Sequence, residues 1–155
     1  MPTSRPRERS EVKAPAGFHP EGLFRADWYC EQDGQWRLRA SRCGGCGSLI
    51  FPAGKSCPRC WPPRPLEDAL VPETGKLLSW STANVAPAGF RAPFSFGYAD
   101  FTPTVRLFGQ LELGPDDPPL EPDAQIELVL GVVRQEQAGL PIWAYKFAPV
   151  QRSKA

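Results

Sequence analysis

Four cysteines set the terms on which this chain can fold. They stand as Cys43-Gly-Gly-Cys46 and Cys57-Pro-Arg-Cys60, two C-x2-C pairs separated by ten residues. A two-residue spacer lets both thiolates of a pair reach one ion from a single tight turn, and four thiolates close a tetrahedral shell around zinc. Gly44, Gly45 and Gly47 permit the turn conformations this needs, while Pro58 pre-sets the backbone of the second turn. The expectation is one structural Zn2+ per chain, held by Cys43, Cys46, Cys57 and Cys60. A rubredoxin-type iron site uses the same donors with its pairs farther apart. A thioredoxin-like redox pair needs a βαβ context that is absent around these residues.

A chain of 155 residues has room for a metal-stapled module beside a compact domain of about 80 residues. Its 19 prolines and 14 glycines leave little space for long helices and favour an all-β body. No apolar run is long enough to span a bilayer, and MPTSRPRERSEVK has no secretory core, so the expected location is the cytoplasm. In a reducing compartment paired C-x2-C motifs bind metal rather than form disulfides, and Cys30 has no evident partner. Residues 1–64 hold 11 Lys/Arg against 6 Asp/Glu, a balance of +5, and residues 65–155 hold 7 against 11, a balance of −4. The basic half suits either a solvated surface or contact with phosphates.

Along the chain, residues 1–20 read as a disordered or partner-draped tail. Within 21–32, Leu23, Phe24, Trp28 and Tyr29 have offsets that suit a short amphipathic helix. Asp33-Gly34 either ends that helix or turns a hairpin that pairs Trp28–Glu31 with Gln35–Leu38. Gln35–Arg42 alternates as a strand into the first cysteine knuckle, and Ser48-Leu-Ile-Phe-Pro52 supplies a second short strand. Trp61-Pro-Pro-Arg-Pro65 reads as a stiff linker. The expected organisation is a zinc ribbon with its N-terminal element and linker over 21–64, a barrel over 65–150 and a tail over 151–155. Five strand signals fill the barrel segment: 75–84, 93–101, 104–113, a run through Ile126, Leu128, Leu130 and Val132, and 142–147. Their spacing points to a five-stranded OB-fold barrel, so the fold class is mainly β, a rubredoxin-like zinc ribbon followed by that barrel.

The order of these features is more specific than any one of them. SRCGGCGSLIFPAGKSCPRC, the proline-rich joint, the Thr74-Gly-Lys-Leu77 turn, Tyr98-Ala-Asp100, Arg106-Leu-Phe-Gly-Gln-Leu111 and the closing Gly139-Leu-Pro141 to Phe147-Ala-Pro149 resemble the zinc-ribbon/OB-fold family of acyl-CoA-associated proteins, long catalogued as domain of unknown function thirty-five. The resemblance covers residues 36–150. The stretch before Trp36 departs from the family's commoner helix with an aromatic pair. The resemblance implies an accessory subunit that is not catalytic alone. Its partner would be a thiolase-like enzyme, or as runner-up a hot-dog-fold hydratase, with the ribbon and proline-rich joint as docking elements. The barrel would then complete or shield a coenzyme A cleft in the cleavage of aromatic-derived, steroid or polyketide-type acyl-CoAs.

The residues themselves offer little reaction chemistry. The single histidine, His19, lies where no Ser-His-Asp or Cys-His arrangement has a partner. Cys30 has no neighbouring cation to activate it, and a four-thiolate zinc has no open position. Phe90, Arg91 and Phe94, in a proline-rich loop, and Arg106, on the third barrel strand, are candidate contacts for coenzyme A or a partner. Each has a plainer reading, solvated arginine or barrel-mouth packing. The competing function is a single-stranded nucleic-acid module, since ribbons and OB barrels both serve that purpose. The acidic count of residues 65–155 weighs against it.

Overall fold

The computed structural model describes residues 18–113, 117 and 120–150; both expected tails lie largely outside them, as does most of the break after Leu113. Strands dominate: β1 (Tyr29–Gln32), β2 (Gln35–Cys43), β3 (Leu49–Ile50), β4 (Leu66–Leu70), β5 (Thr74–Ala83), β6 (Phe94–Thr102), β7 (Val105–Leu111), β8 (Gln125–Gln135) and β9 (Pro141–Pro149). Two 3-10 turns, Pro20–Gly22 and Ala26–Trp28, precede them.

The hairpin, not the amphipathic helix, forms before the ribbon. Arg25 takes a left-handed backbone at φ 54° and interrupts the helical path. Asp33 (φ 52°) and Gly34 (φ 76°) then make the two-residue, both-positive turn that matches strand twist, and Gln32 pairs with Gln35 across it. Tyr29 opposite Leu38 sets the register, so turn chemistry overrides the apolar spacing.

β2 is the spine of the ribbon. Its first half pairs with β1, and its second half pairs with β3 (Ser41 opposite Ile50) and with β4 (Arg39 opposite Leu70 through Cys43 opposite Leu66). β4 follows the proline-rich run and still belongs to this sheet. Leu66-Glu-Asp-Ala-Leu70 carries residues with weak strand preference, and ladder pairing with β2 decides its conformation.

β5 through β9 close into a barrel in the order β5-β6-β7-β9-β8, with β7 and β9 parallel and the other pairs antiparallel. Alternation fills its interior with Leu77, Ala99, Phe101, Val105, Leu107, Leu111, Ile126, Leu130 and Phe147, all buried. At Gly109 an added Cβ would sit 3.0 Å from Phe147 Cζ and 3.1 Å from Tyr145 Cε2, so the glycine makes room for two rings.

One apolar cluster runs through ribbon and barrel together, from Leu38, Ala40 and Leu49 to Ile126 and Phe147. The seam is built by the N-terminal segment. Phe24 N–H donates to Trp143 O at 2.8 Å, and Phe18 packs edge-on against both Trp36 (5.7 Å) and Trp143 (5.4 Å). Tyr29 Oη accepts the Tyr145 N–H at 2.8 Å, and Thr104 Oγ1 donates to Leu49 O at 2.6 Å.

Candidate metal centre and barrel-mouth cleft

Each cysteine pair sits on a tight turn, the first between β2 and β3, the second in the loop between β3 and β4. The four sulfurs lie within 4.8 Å of one another, with Cys43 Sγ 3.6 Å from Cys60 Sγ and Cys46 Sγ 3.7 Å from Cys57 Sγ. A tetrahedron with Zn–S bonds of about 2.3 Å places its sulfurs about 3.8 Å apart. The four-sulfur set therefore fits zinc in number, type and spacing.

The turns also supply the outer hydrogen bonds. Gly45 N–H donates to Cys43 Sγ and Arg59 N–H to Cys57 Sγ, both at 3.4 Å, so the residue two past the first cysteine plays the same part in each pair. Ser48 Oγ lies 3.1 Å from Cys46 Sγ. The Ser48 hydroxyl, with its backbone N–H, draws the Cys46 thiol down to about 6. The backbone N–H groups of Cys46 and Gly45 hold Cys43 below the ordinary thiol range, and the facing Cys43 and Cys46 push Cys60 up to about 12. Four thiols this close cannot all ionise alone, and a divalent cation is what lets them do so together. His19 caps the first 3-10 turn without a side-chain bond, and the metal-ligating cluster found among the described residues is made of cysteines only. Cys30 is a free thiol on β1, opposite Arg37.

A second feature opens at the barrel mouth. The loop between β5 and β6 is pinned at Gly89, whose O accepts the Gln135 N–H at 2.8 Å. Gly89 has φ 92°, and a Cβ there would lie 2.5 Å from Gln135 O, so only glycine fits. This anchor carries Phe90 and Arg91 over a cleft of ≈ 420 Å³, where Phe90 stacks on Phe94 with centroids 5.7 Å apart and planes at 26°. Lys146 and Glu112 also line it. The Lys146 stem crosses β8 at Gly131, where an added Cβ would lie 2.5 Å from Lys146 Cδ. Two cations, one carboxylate and two stacked rings favour an anionic ligand with a flat or apolar part.

Three of the four residues expected to make contacts thus meet in one place, Phe90, Arg91 and Phe94. Arg106 does not join them. It lies near the opposite end of β7 and makes a bidentate pair with Asp100, Nε to Oδ1 at 2.6 Å and Nη2 to Oδ2 at 3.2 Å. That bond holds the Asp100 carboxyl below its ordinary value and Arg106 above its own. Lys146 escaped the sequence reading, although the alternation of Ile142–Phe147 sets it on the face opposite Trp143, Tyr145 and Phe147.

Comparison with known proteins agrees with the zinc ribbon and the barrel fold. Residues 35–64 match the family described as "ChsH2, rubredoxin-like zinc ribbon domain". Over 151 residues the chain is 34% identical to the benzoylsuccinyl-CoA thiolase subunit BbsA of Thauera aromatica, covering 97% of this chain and 100% of that one. It is 28% identical over 114 residues to a DUF35 domain-containing scaffold protein of Methanocaldococcus jannaschii, covering 71% of this chain and 79% of the relative. The chain belongs to the zinc-ribbon DUF35 family. A solved structure titled "Ltp2-ChsH2(DUF35) aldolase" superposes with a TM-score of 0.53 at 24% identity, over 74% of this chain and 86% of that one, and shares the fold. As a DUF35 chain the protein carries a zinc ribbon with one structural zinc, set against a closed five-stranded barrel. Among the described residues no helix is long and apolar enough to cross a membrane.

Proposed function

We propose that this DUF35 chain is a non-catalytic accessory subunit of a thiolase-like or aldolase-type acyl-CoA enzyme, required for assembly and for completing the coenzyme A cleft. The observation that carries the reading is its match to a thiolase subunit from end to end. Its own side chains fit such a role. His19 makes no side-chain cap hydrogen bond and is not part of the metal-ligating cluster, whose four cysteines fill a tetrahedral shell. Zinc at that centre fixes the two turns and so the shape of the ribbon.

In this reading carbon–carbon cleavage, by thiolysis or retro-aldol reaction of an aromatic-derived or steroid acyl-CoA, takes place on the partner's residues. This chain contributes binding and exclusion of water. Arg91 and Lys146 would neutralise phosphate, while Phe90 and Phe94 would cover the adenine or the pantetheine arm. Trp61, 90% exposed in the proline-rich run, and the ribbon beside it supply a docking element. A nucleic-acid role has less support, because Arg106, the arginine beside the exposed rings of β6 and β7, is already neutralised by Asp100.

The test is reconstitution with the thiolase-like subunit that co-purifies with the chain. Cleavage activity should be poor without this chain and restored with it. An Arg91→Ala, Lys146→Ala double variant should leave the complex intact and raise KM for the CoA substrate about tenfold. Full activity of the partner alone would end the reading.

A further inference from the structure

β5 does more than close the barrel. It pairs with β8 only through Thr74–Lys76, and Leu77 adds the last bonds on that side, its N–H to Ala124 O and its O from Asp123 N–H. Beyond this point the strand runs on, paired with β6 alone from Ser79 opposite Tyr98 to Ala83 opposite Phe94. Among the described residues nothing meets the other edge of Leu78–Ala83. Alternate residues of an antiparallel strand point both backbone groups to the same side, so among the described residues this arm presents a row of unmet N–H and C=O groups about 20 Å long.

Proteins usually blunt such an edge with charge, proline or a covering element. Leu78-Ser-Trp-Ser-Thr-Ala83 has neither charge nor proline. Its bulge, at Leu78 between Leu77 and Ser79, lies at the root of the arm and leaves Ser79–Ala83 in regular register. Leu78 and Trp80 stay 45% and 38% exposed beside it.

The face next to this edge is equally unguarded. Phe94, Phe96 and Tyr98 project outward from β6, and Phe108 joins them from β7, with successive ring centroids 5.8, 5.6 and 5.2 Å apart along Phe94, Phe96, Phe108 and Tyr98. Tyr98 and Phe108 are 47% and 50% exposed. On β5 the residues sharing this face, Ser79, Ser81 and Ala83, are small, which leaves a shallow trough against a wall of rings. An added strand would satisfy the edge, and its bulky side chains would lie over the serines toward Phe96 and Tyr98, within the diagonal reach of a sheet. The ladder of rings continues through Phe94 and Phe90 into the cleft.

We propose that the open edge of β5, Leu78–Ala83, takes an extended apolar strand of the thiolase-like partner subunit. This rests on the accessory-subunit reading and adds where and how the partner is held. The uncharged edge and the ring face beside it match an apolar protein segment, and the continuity of the rings places that segment next to the Phe90–Arg91 cleft.

Hydrogen exchange on the zinc-loaded full chain, free and in complex with the co-purified thiolase-like subunit, tests it. The edge-facing amides of 78–83, alternate residues not bonded to β6, should exchange fast in the free chain and slow at least tenfold in the complex. Ser81→Lys should weaken the complex at least tenfold, and Ser81→Thr should bind as the wild type does. A complex that forms with 78–83 still exchanging fast, or that Ser81→Lys leaves at full affinity, overturns the strand proposal while sparing the accessory role. Concentration-dependent protection of 78–83 in the free chain would assign the edge to a second copy and overturn it too. Absence of any complex overturns the accessory role and the strand proposal with it.

Discussion

Ribbon and barrel meet along one apolar seam but hold their shapes by different means. The barrel buries Leu77, Ala99, Ile126 and Phe147 at under 1% exposure and closes its own hydrogen-bond ladder. The ribbon buries Leu38, Ala40 and Leu49 on a four-stranded sheet and leaves the loop from Phe51 to Pro65 without a strand, held by the Trp28–Phe51 contact, the Gly54 N–H on Ser41 Oγ and, through Cys57 and Cys60, the metal site. Packing makes one half and an ion makes the other. In the proposed accessory role this split would let the barrel serve as a rigid body while the irregular turns of the ribbon meet the partner.

The comparison is broken most directly at the metal. Cys57→Ser removes a buried ligand and should drop zinc from about one per chain to a trace. Structural zinc contributes on the order of 10 kcal/mol to small modules, so ribbon amides should lose exchange protection while those of β6 and β7 keep theirs. Equal loss in both halves would show that the barrel depends on the ion as well. Next in size is Phe147→Ala, a fully buried ring in the barrel, which should cost about 3–5 kcal/mol in chemical denaturation yet leave zinc content unchanged. Tyr29→Phe acts at the seam. It strips the acceptor from the Tyr145 N–H and should cost about 1 kcal/mol, read as a small fall in the denaturation midpoint with both zinc and barrel fold retained.

The smallest effect belongs to the Asp100–Arg106 pair. Asp100 is held below its unfolded value, so the stability it adds is present above the ordinary carboxylate range and is lost as pH falls through the lowered folded value. Both partners are exposed, and salt screens them. Asp100→Asn should therefore lower the melting temperature slightly at pH 7 and progressively less as the pH falls from the ordinary carboxylate range through the lowered folded value, a difference that added salt shrinks.

Much of this was legible in the residues. Two C-x2-C pairs fix a metal site through local geometry alone, and the alternation of Val105–Leu111 or Trp143–Phe147 survives in any strand. What was not legible depends on partners distant in sequence. Leu66-Glu-Asp-Ala-Leu70 becomes a strand because β2 lies beside it. The segment before Asp33-Gly34 had two readings until the turn chose one. In Phe94–Ala99 the small residues Gly97 and Ala99 face inward and the rings outward, because Phe101 and Phe147 already occupy the interior at 5.8 Å from each other. Arg106 and Arg91 looked alike as exposed cations, and only the register of β6 and β7 shows that one is paired with Asp100 and the other overhangs a cleft.

The accessory role is tested most directly by native mass spectrometry of the chain co-expressed with a candidate thiolase-like subunit from the same organism. The account predicts a heteromeric species containing both subunits, with one zinc for every copy of this chain. A free zinc-loaded chain beside a separately assembled, fully active thiolase would contradict it.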